Sequence, residues 1–169
     1  IAVATKENID RQTIISGVQK FKGTQRRFEK YSEIDGISLY DDYAHHPTEI
    51  KLTLESAKAS LKKSIICVFQ PHRYSRTKQF LNEFSDSFQN ADTIIITDIF
   101  AANESNDHSI SANDIVIRLK EKGKDAYYIP DKDAIPTFIH GQTTQNDVII
   151  TMGAGNISSI LPKISQKLK

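Results

Sequence analysis

The stretch Ile37–Phe69, ISLYDDYAHHPTEIKLTLESAKASLKKSIICVF, decides the fold. It opens with the β-branched and aromatic run Ile37–Tyr40 and closes with the apolar run Ser64–Phe69. Between them, Pro47 suits the first turn of a helix. The apolar positions that follow recur at the spacing of one helical face: Ile50, Leu54, Ala57 and Leu61. A strand, a helix and a second strand in this order predict a βα unit of a largely parallel sheet.

The segments on either side extend this unit into a complete fold. Upstream, the runs Phe28–Ile34 and Ile37–Tyr40 flank Asp35-Gly36, a pair that tolerates the positive φ values of a tight hairpin turn. Downstream, helical patterns separate three further strands, at Thr93–Thr97, Ala126–Ile129 and Asp147–Met152. The sequence therefore predicts an α/β fold, with a Rossmann-like, mostly parallel sheet, helices on both faces and an N-terminal β-hairpin.

Residues 1–22 have a different pattern, which is helical and has no strand of its own to cover. We expect residues 1–24 to be the tail of a preceding domain with its linker, and residues 25–169 to form the α/β domain. The chain has no initiating Met, so we expect it to begin within a longer protein.

Composition limits the class of function. The length of 169 residues suits one domain, and 22 Lys and Arg against 21 Asp and Glu leave a net charge of only +1. No basic tract indicates nucleic acid as a partner, and no apolar run approaches the roughly 18 residues of a membrane span. The single Cys67 lies in an apolar run, which predicts a buried thiol and favours a reducing, cytoplasmic location.

The chemistry is expected after the strands, because ligands of open α/β sheets collect beyond the carboxyl ends of the strands. The first polar cluster, Asp41–Glu49, holds two carboxylates, a phenol and two imidazoles before a helix N-terminus, which favours anions. The second, Gln70–Thr77, follows the next strand. There Arg73 and Arg76 are three residues apart, so they can converge on one carboxylate or phosphate if the helix has started.

Each cluster also has a purely structural interpretation. Asp41 or Asp42 could close a strand or cap a turn, His46 could be a surface residue, and Arg73 could pair with a nearby carboxylate. Two such clusters at adjacent strand ends nevertheless favour a site.

Other chemistries are less favoured by the sequence. Adjacent His45 and His46 rarely point the same way, and Arg73 beside His72 repels cations, so no metal site is predicted. Gly153–Gly155 lacks a complete dinucleotide-binding pattern, and close backbone packing explains its glycines better. The chain contains no G-x-x-x-x-G-K-[ST] phosphate loop, so another domain must hold most of any bound ATP.

Four stretches together resemble the C-terminal domain of the Mur ligase family: Phe21–Glu29, Asp41–Glu49, Phe69–Thr77 and Gly153–Ile157. The portion Pro71–Arg76 favours the alanine-adding member of the family over the member that recycles murein tripeptide. The resemblance implies an ATP-dependent ligase of peptidoglycan biosynthesis that joins L-alanine to UDP-N-acetylmuramate. It also implies that the enzyme's own N-terminal and central domains are partners, that ATP and Mg²⁺ are held mainly by the central domain and not tightly by this chain, and that the isolated fragment is inactive.

The same resemblance implies roles for individual residues. Arg27 is expected to reach the ATP phosphates, and Asp42 to hold the nucleotide ribose. Five residues are expected to shape the L-alanine pocket: Tyr43, His45, His72, Arg73 and Arg76. His45 and His72 are the candidate catalytic residues of this set.

The sequence departs from the family pattern at Asn103, where many relatives have Arg, and at Ser158, where Gly is usual. Asn103 lies in the polar loop Ala101–His108, which is long enough to be functional. Two other functions stay open from the sequence alone. One is a non-catalytic nucleotide- or anion-binding module, and the other is a metal-dependent hydrolase built on His45, His46 and His72.

Overall fold

A computed structural model describes residues 1–21, 23–106 and 108–169. Its centre is a six-stranded sheet in the order β1-β2-β6-β3-β4-β5. The strands are β1 (Glu29–Ile34), β2 (Ile37–Asp42), β3 (Ser64–Phe69), β4 (Thr93–Ile96), β5 (Asp125–Tyr128) and β6 (Asp147–Met152). Only β1 runs antiparallel to its neighbour, and the other pairs are parallel.

The N-terminal hairpin is confirmed. Asp35 and Gly36 join β1 to β2 with φ values of 48° and 84°, the left-handed geometry that suits a tight hairpin turn. Strand β1 begins at Glu29, one residue later than expected. Phe28 has a φ of 47°, which is incompatible with an extended strand.

Helices cover both faces of the sheet, as predicted. The helices of the described residues are α1 (Ala2–Lys6), α2 (Arg11–Lys20), α3 (Pro47–Leu61), α4 (Tyr74–Gln79), α5 (Leu81–Ser87), α6 (Ala112–Glu121), α7 (Ile135–His140) and α8 (Leu161–Lys167), with short 3-10 turns before α7 and α8. On one face, Leu54 of α3, Phe84 of α5 and Ile115 of α6 are fully buried. On the other, Ile139 of α7 and Ile164 of α8 are buried against the sheet. The α/β class with a two-sided sheet is therefore confirmed.

After β3, phenylalanine recurs at every fourth position, at Phe80, Phe84 and Phe88, but the helical segment that carries these residues is interrupted. Phe84 and Phe88 are fully buried, but the helix breaks at Phe80, which is only partly buried. The ring of Phe80 lies 4.9 Å from that of His46, so this aromatic residue packs against the first polar cluster.

The N-terminal helices differ from the rest of the chain. In the described structure neither α1 nor α2 contains a buried residue, and Ile1 and Val3 are 80% and 75% exposed. The helical pattern predicted for residues 1–22 is present up to Lys20, and Lys22 lies outside the described residues. No helix in the described ranges has the length and apolarity needed to cross a bilayer.

The sheet topology creates a crevice. Strands β3 and β6 are parallel neighbours, but the helices that follow them, α5 and α8, pack on opposite faces of the sheet. Segments that leave neighbouring strands in opposite directions open a space beyond their carboxyl ends, which is where ligands bind in such folds.

Candidate functional site

The two carboxylates at the end of β2 are buried and accept hydrogen bonds within the chain. Asp42 is 4% exposed, and its two oxygens accept hydrogen bonds from the backbone N–H groups of Phe28 at 2.7 Å and Ala44 at 2.8 Å. The side chain thereby joins the segment before β1 to the turn after β2. The ribose contact expected for Asp42 stays a prediction.

Asp41 belongs to a buried ion pair that sequence reasoning missed. Its Oδ2 lies 2.8 Å from Nε of Arg26, and its Oδ1 accepts a 2.8 Å hydrogen bond from the hydroxyl of Thr151. The remaining guanidinium nitrogens donate to the carbonyls of Gly153 at 2.5 Å and Gly155 at 3.3 Å. A buried carboxylate needs a partner, but the sequence does not say which of many cations supplies it.

Tyr43 lies beside both arginines of the segment before β1. The guanidinium carbons of Arg26 and Arg27 are 5.1 and 5.5 Å from its ring centre, within cation–π range. Arg27, the predicted phosphate ligand, is exposed to solvent. The other neighbour of Tyr43 is His45, whose ring packs edge-on at 5.4 Å. Tyr43 thus lies between the predicted nucleotide-binding and alanine-binding residues.

His45 has a defined tautomer because its Nδ1 lies 3.0 Å from the carbonyl oxygen of Tyr43 and must donate to it. In the neutral ring, Nε2 then carries the lone pair. Glu49 fixes the backbone here, accepting from the N–H groups of His45 at 3.0 Å and His46 at 3.2 Å. Burial tends to raise the pKa of Glu49, but these backbone donors outweigh it and hold the pKa below its usual range.

His72 has the opposite tautomer. Nη1 of Arg76 lies 3.3 Å from its Nδ1 and can only donate, so the neutral ring carries its proton on Nε2. The ring stacks on Phe100, with centres 5.6 Å apart, and packs against His45 at 5.8 Å. Burial, followed by the charge of Arg76, lowers the pKa of His72. His45 and His72 therefore lie together, one presenting a lone pair and the other an N–H.

Arg73 and Arg76 do not converge in the structure. Arg73 stands one residue before α4, so the condition for convergence is not met, and its guanidinium lies 4.0 Å from Oε1 of Glu104. The guanidinium of Arg76 is directed to His72 instead. The alternative that Arg73 faces a nearby carboxylate describes the structure better.

The glycine turn after β6 is closely packed, as predicted. A Cβ at Gly153 would lie 2.8 Å from the carbonyl oxygen of Gln70, and one at Gly155 would lie 2.7 Å from the ring of Phe100. These contacts leave no room for side chains and bring the turn against the second cluster.

The side chains of His45, Arg73 and Arg76 together suit a small zwitterion as ligand. They combine guanidinium groups that can bind a carboxylate with an imidazole lone pair that can accept an ammonium proton. Within residues 1–21, 23–106 and 108–169, no three His, Cys, Asp or Glu side chains are grouped as metal ligands.

The family model described as "Mur ligase, glutamate ligase domain" matches residues 26–155, and the chain belongs to the Mur ligase family.

Within this family the chain is similar to UDP-N-acetylmuramate–L-alanine ligases. It is 44% identical to that of Agathobacter rectalis over 95% of this chain, and 44% identical to that of Caldanaerobacter subterraneus subsp. tengcongensis over 100% of it. The crystal structure of the Thermotoga maritima UDP-N-acetylmuramate–alanine ligase superposes with a TM-score of 0.83 at 27% identity, covering 99% of this chain and 35% of that one. The chain spans 35% and 37% of the two sequence relatives, about a third of their length.

Proposed function

We propose that this chain is the C-terminal domain of an ATP-dependent ligase that adds L-alanine to UDP-N-acetylmuramate in peptidoglycan synthesis. The observation that carries the proposal is the meeting of His45, His72 and Arg76 at the ends of two strands, in a chain 44% identical to enzymes of that name. We assign to this domain the amino-acid pocket and part of the nucleotide site.

The alanine-binding residues act through position and charge. Arg76, with Arg73 turned from Glu104, binds the carboxylate of alanine. The ammonium group then faces the imidazoles, where Nε2 of His45 can take its proton and leave the amine able to attack an activated carboxylate. Burial and the charge of Arg76 keep His72 neutral, so its Nε2–H can donate a hydrogen bond within the pocket. Holding the amine in line supplies much of the rate enhancement.

We assign nucleotide binding to Arg27 and Asp42, of which Arg27 lies against the ring of Tyr43. Arg27 is exposed there and can bind phosphate oxygens with its planar fork of donors, while Asp42 is assigned to the ribose. ATP with Mg²⁺ supplies the phosphoryl group that activates the sugar carboxylate. We assign most of the ATP site to the central domain of the longer protein, and we expect this chain alone to hold no nucleotide tightly.

We assign residues 1–24 to the end of that central domain and its linker. Helices α1 and α2 line an open apolar groove that includes Ile1, Ile9, Ile14 and Val18. Apolar side chains of this kind are ordinarily buried against a neighbouring core. The partners that we assign to residues 25–169 are the enzyme's own N-terminal and central domains, with neither nucleic acid nor membrane. We expect the enzyme to be cytoplasmic.

The test is a ligation assay on the full-length protein with UDP-N-acetylmuramate, ATP and Mg²⁺, with L-alanine, glycine and a dipeptide as acceptors. L-Alanine is expected to be preferred, and Arg76→Ala is expected to lower kcat/KM for alanine about 100-fold, because a charged hydrogen bond contributes about 1.5–3 kcal/mol. The matched control is Arg118→Ala, at an exposed position on α6. Full activity of Arg76→Ala would remove the assigned carboxylate site.

Each competing function can be tested by a separate measurement. A non-catalytic anion-binding module would bind ATP or phosphate tightly as the isolated chain in calorimetry. A murein-tripeptide ligase would prefer the tripeptide as acceptor, and a metal-dependent hydrolase would carry stoichiometric zinc in elemental analysis. The similarity to alanine ligases favours none of these three alternatives.

A further inference from the structure

We propose that Glu104, on the loop after β4, is a positioning residue that caps helix α4 from a distant segment and thereby holds Arg73 and Arg76 in place. The inference rests on the proposed function, because it assigns a role within the alanine site. It adds to that site a residue that contacts neither the alanine nor the nucleotide.

The contacts of Glu104 are those of a helix cap. Its Oε2 accepts a 3.0 Å hydrogen bond from the backbone N–H of Ser75, and its Oε1 accepts a 2.5 Å hydrogen bond from the Ser75 hydroxyl. Ser75 is the second residue of α4, so its N–H is one of those that a helix leaves without a partner at its N-terminus. The carboxylate comes from 29 residues further along the chain.

Helix α4 needs such a cap because of the residue before it. Ser, Thr, Asp and Asn are the usual N-cap residues, whereas α4 has Arg73 there, and in the described structure its side chain makes no capping hydrogen bond. Arg73 also has φ 75° and ψ 137°, a conformation that residues with a Cβ rarely adopt. The position is therefore poorly suited to helix initiation, and the cap of α4 has to come from another residue.

The same loop fixes the backbone of Arg73 directly. The N–H of Arg73 donates to the carbonyl of Phe100 at 2.8 Å, and the N–H of Phe100 donates to the carbonyl of Pro71 at 2.8 Å. Phe100 and Glu104 thus hold the turn on both sides of the strained residue. Arg76 follows one helical turn later, so its direction toward His72 depends on the same cap.

The charge of Glu104 suits this role. The hydroxyl of Ser75, followed by its N–H, holds the pKa of Glu104 below its usual range, so the cap is anionic at neutral pH. The guanidinium of Arg73 is 4.0 Å away, and its side chain is 50% exposed, which makes the ion pair loose. Arg73 can therefore turn to a ligand carboxylate while Glu104 stays bound to the helix.

The experiment uses Glu104→Ala and Glu104→Gln in the full-length protein. The KM for L-alanine is expected to rise about tenfold in Glu104→Ala, the equivalent of about 1.4 kcal/mol, with the KM for ATP unchanged within twofold. Glu104→Gln keeps one acceptor oxygen, so its KM for L-alanine is expected to lie between those of the wild type and Glu104→Ala. An unchanged KM for alanine, or equal rises for alanine and ATP, would overturn the inference.

The matched control is Asp92→Ala. Asp92 also accepts from a distant backbone N–H, that of Ile65 at 2.8 Å, and it pairs with Lys58. It directly precedes β4, at the end of the sheet opposite to the site, so its loss is expected to lower stability without changing the KM for alanine. A rise in the KM for alanine in Asp92→Ala as large as that in Glu104→Ala would show a general effect of stability.

A second measurement separates this inference from the proposed function. Amide hydrogen exchange in the 169-residue chain is expected to be at least about tenfold faster at Ser75 in Glu104→Ala, because its N–H loses its acceptor. If the wild-type protein fails to ligate alanine, the proposed function fails, whereas an unchanged exchange rate at Ser75 refutes the cap itself.

Discussion

The two turns that build the site are held in place in different ways. The first turn, residues 41–46, is tied down by buried carboxylates: Asp41 is 6% exposed and Asp42 is 4% exposed. Its following helix, α3, has a capping box formed by His46 and Glu49 within its own sequence. The second turn, residues 70–73, leads into a helix whose cap comes from Glu104, a partly exposed side chain on another loop.

This difference separates stability from binding. Breaking a buried ion pair leaves a desolvated charge and costs folding energy, whereas breaking an exposed cap leaves groups that water can solvate. We therefore expect loss of the buried carboxylate contacts that hold the first turn to act mainly on the free energy of unfolding, and loss of the cap that holds the second turn to act mainly on the alanine site.

The largest effect is expected from Arg26→Met. The change keeps an unbranched side chain but leaves Asp41 without its cation, and it should lower the free energy of unfolding by about 2 kcal/mol. This is less than the roughly 3–5 kcal/mol of a fully buried pair, because the side chain of Arg26 is 26% exposed. Urea unfolding measures it, with Arg118→Met as the control. Equal stability of the two variants would show that the first turn does not depend on this pair.

Glu49→Ala is expected to cost about 1 kcal/mol of folding free energy, because it removes the capping box of α3. Asp114→Ala removes the corresponding box of α6 and should cost a similar amount. The two variants should differ in the ring of His45, which lies 3.4 Å from Glu49. Nitrogen chemical shifts of His45 should move in Glu49→Ala alone, and a shift of equal size in both would contradict this local role.

Arg73→Gly should separate the effect on folding stability from the effect on alanine binding most clearly. Glycine adopts the positive φ of position 73 without strain, so we expect a gain of about 0.5 kcal/mol in unfolding free energy after its greater chain entropy is subtracted. The same change removes a guanidinium from the alanine site and should raise the KM for alanine. Thermal unfolding and steady-state kinetics test both parts, and a loss of stability would argue against strain at Arg73.

The smallest effect concerns pH. Burial and the charge of Arg76 lower the pKa of His72 in the folded chain, so the unfolded chain binds the proton more readily. The contribution of His72 to the free energy of unfolding is therefore fully present above the ordinary histidine pKa of about 6.5, and it is lost as the pH falls below that value. His72→Gln should flatten this part of the stability curve. An identical pH dependence in wild type and His72→Gln would exclude His72 as its source.

Local features were predictable from the sequence where their cause is local. Asp35-Gly36 takes positive φ values in the hairpin, and Ser111 with Asp114, three residues later, forms a capping box at α6. β6 has the predicted bounds, Asp147–Met152, because its apolar residues are buried on both faces. In each case the residues that determine the structure are neighbours in the chain.

Long-range partners could not be predicted in this way. Arg26 meets Asp41 and the Gly153 carbonyl only because β2 and β6 are adjacent in the sheet. Glu104 meets Ser75 because the loop after β4 folds back on the loop after β3. The sequence located the polar turns, but it could not show that Arg73 and Arg76 point to different partners, because that depends on a cap supplied from elsewhere.

The single cysteine has a practical consequence for attaching a dye at a chosen position. Cys67 is fully buried in β3, its Sγ lies 3.7 Å from Sδ of Met152, and burial raises the pKa of its thiol. A buried thiol with a raised pKa reacts slowly with alkylating reagents. A substitution such as Ser105→Cys at an exposed position would therefore direct a maleimide dye to one chosen point of this chain, with the native cysteine left in place.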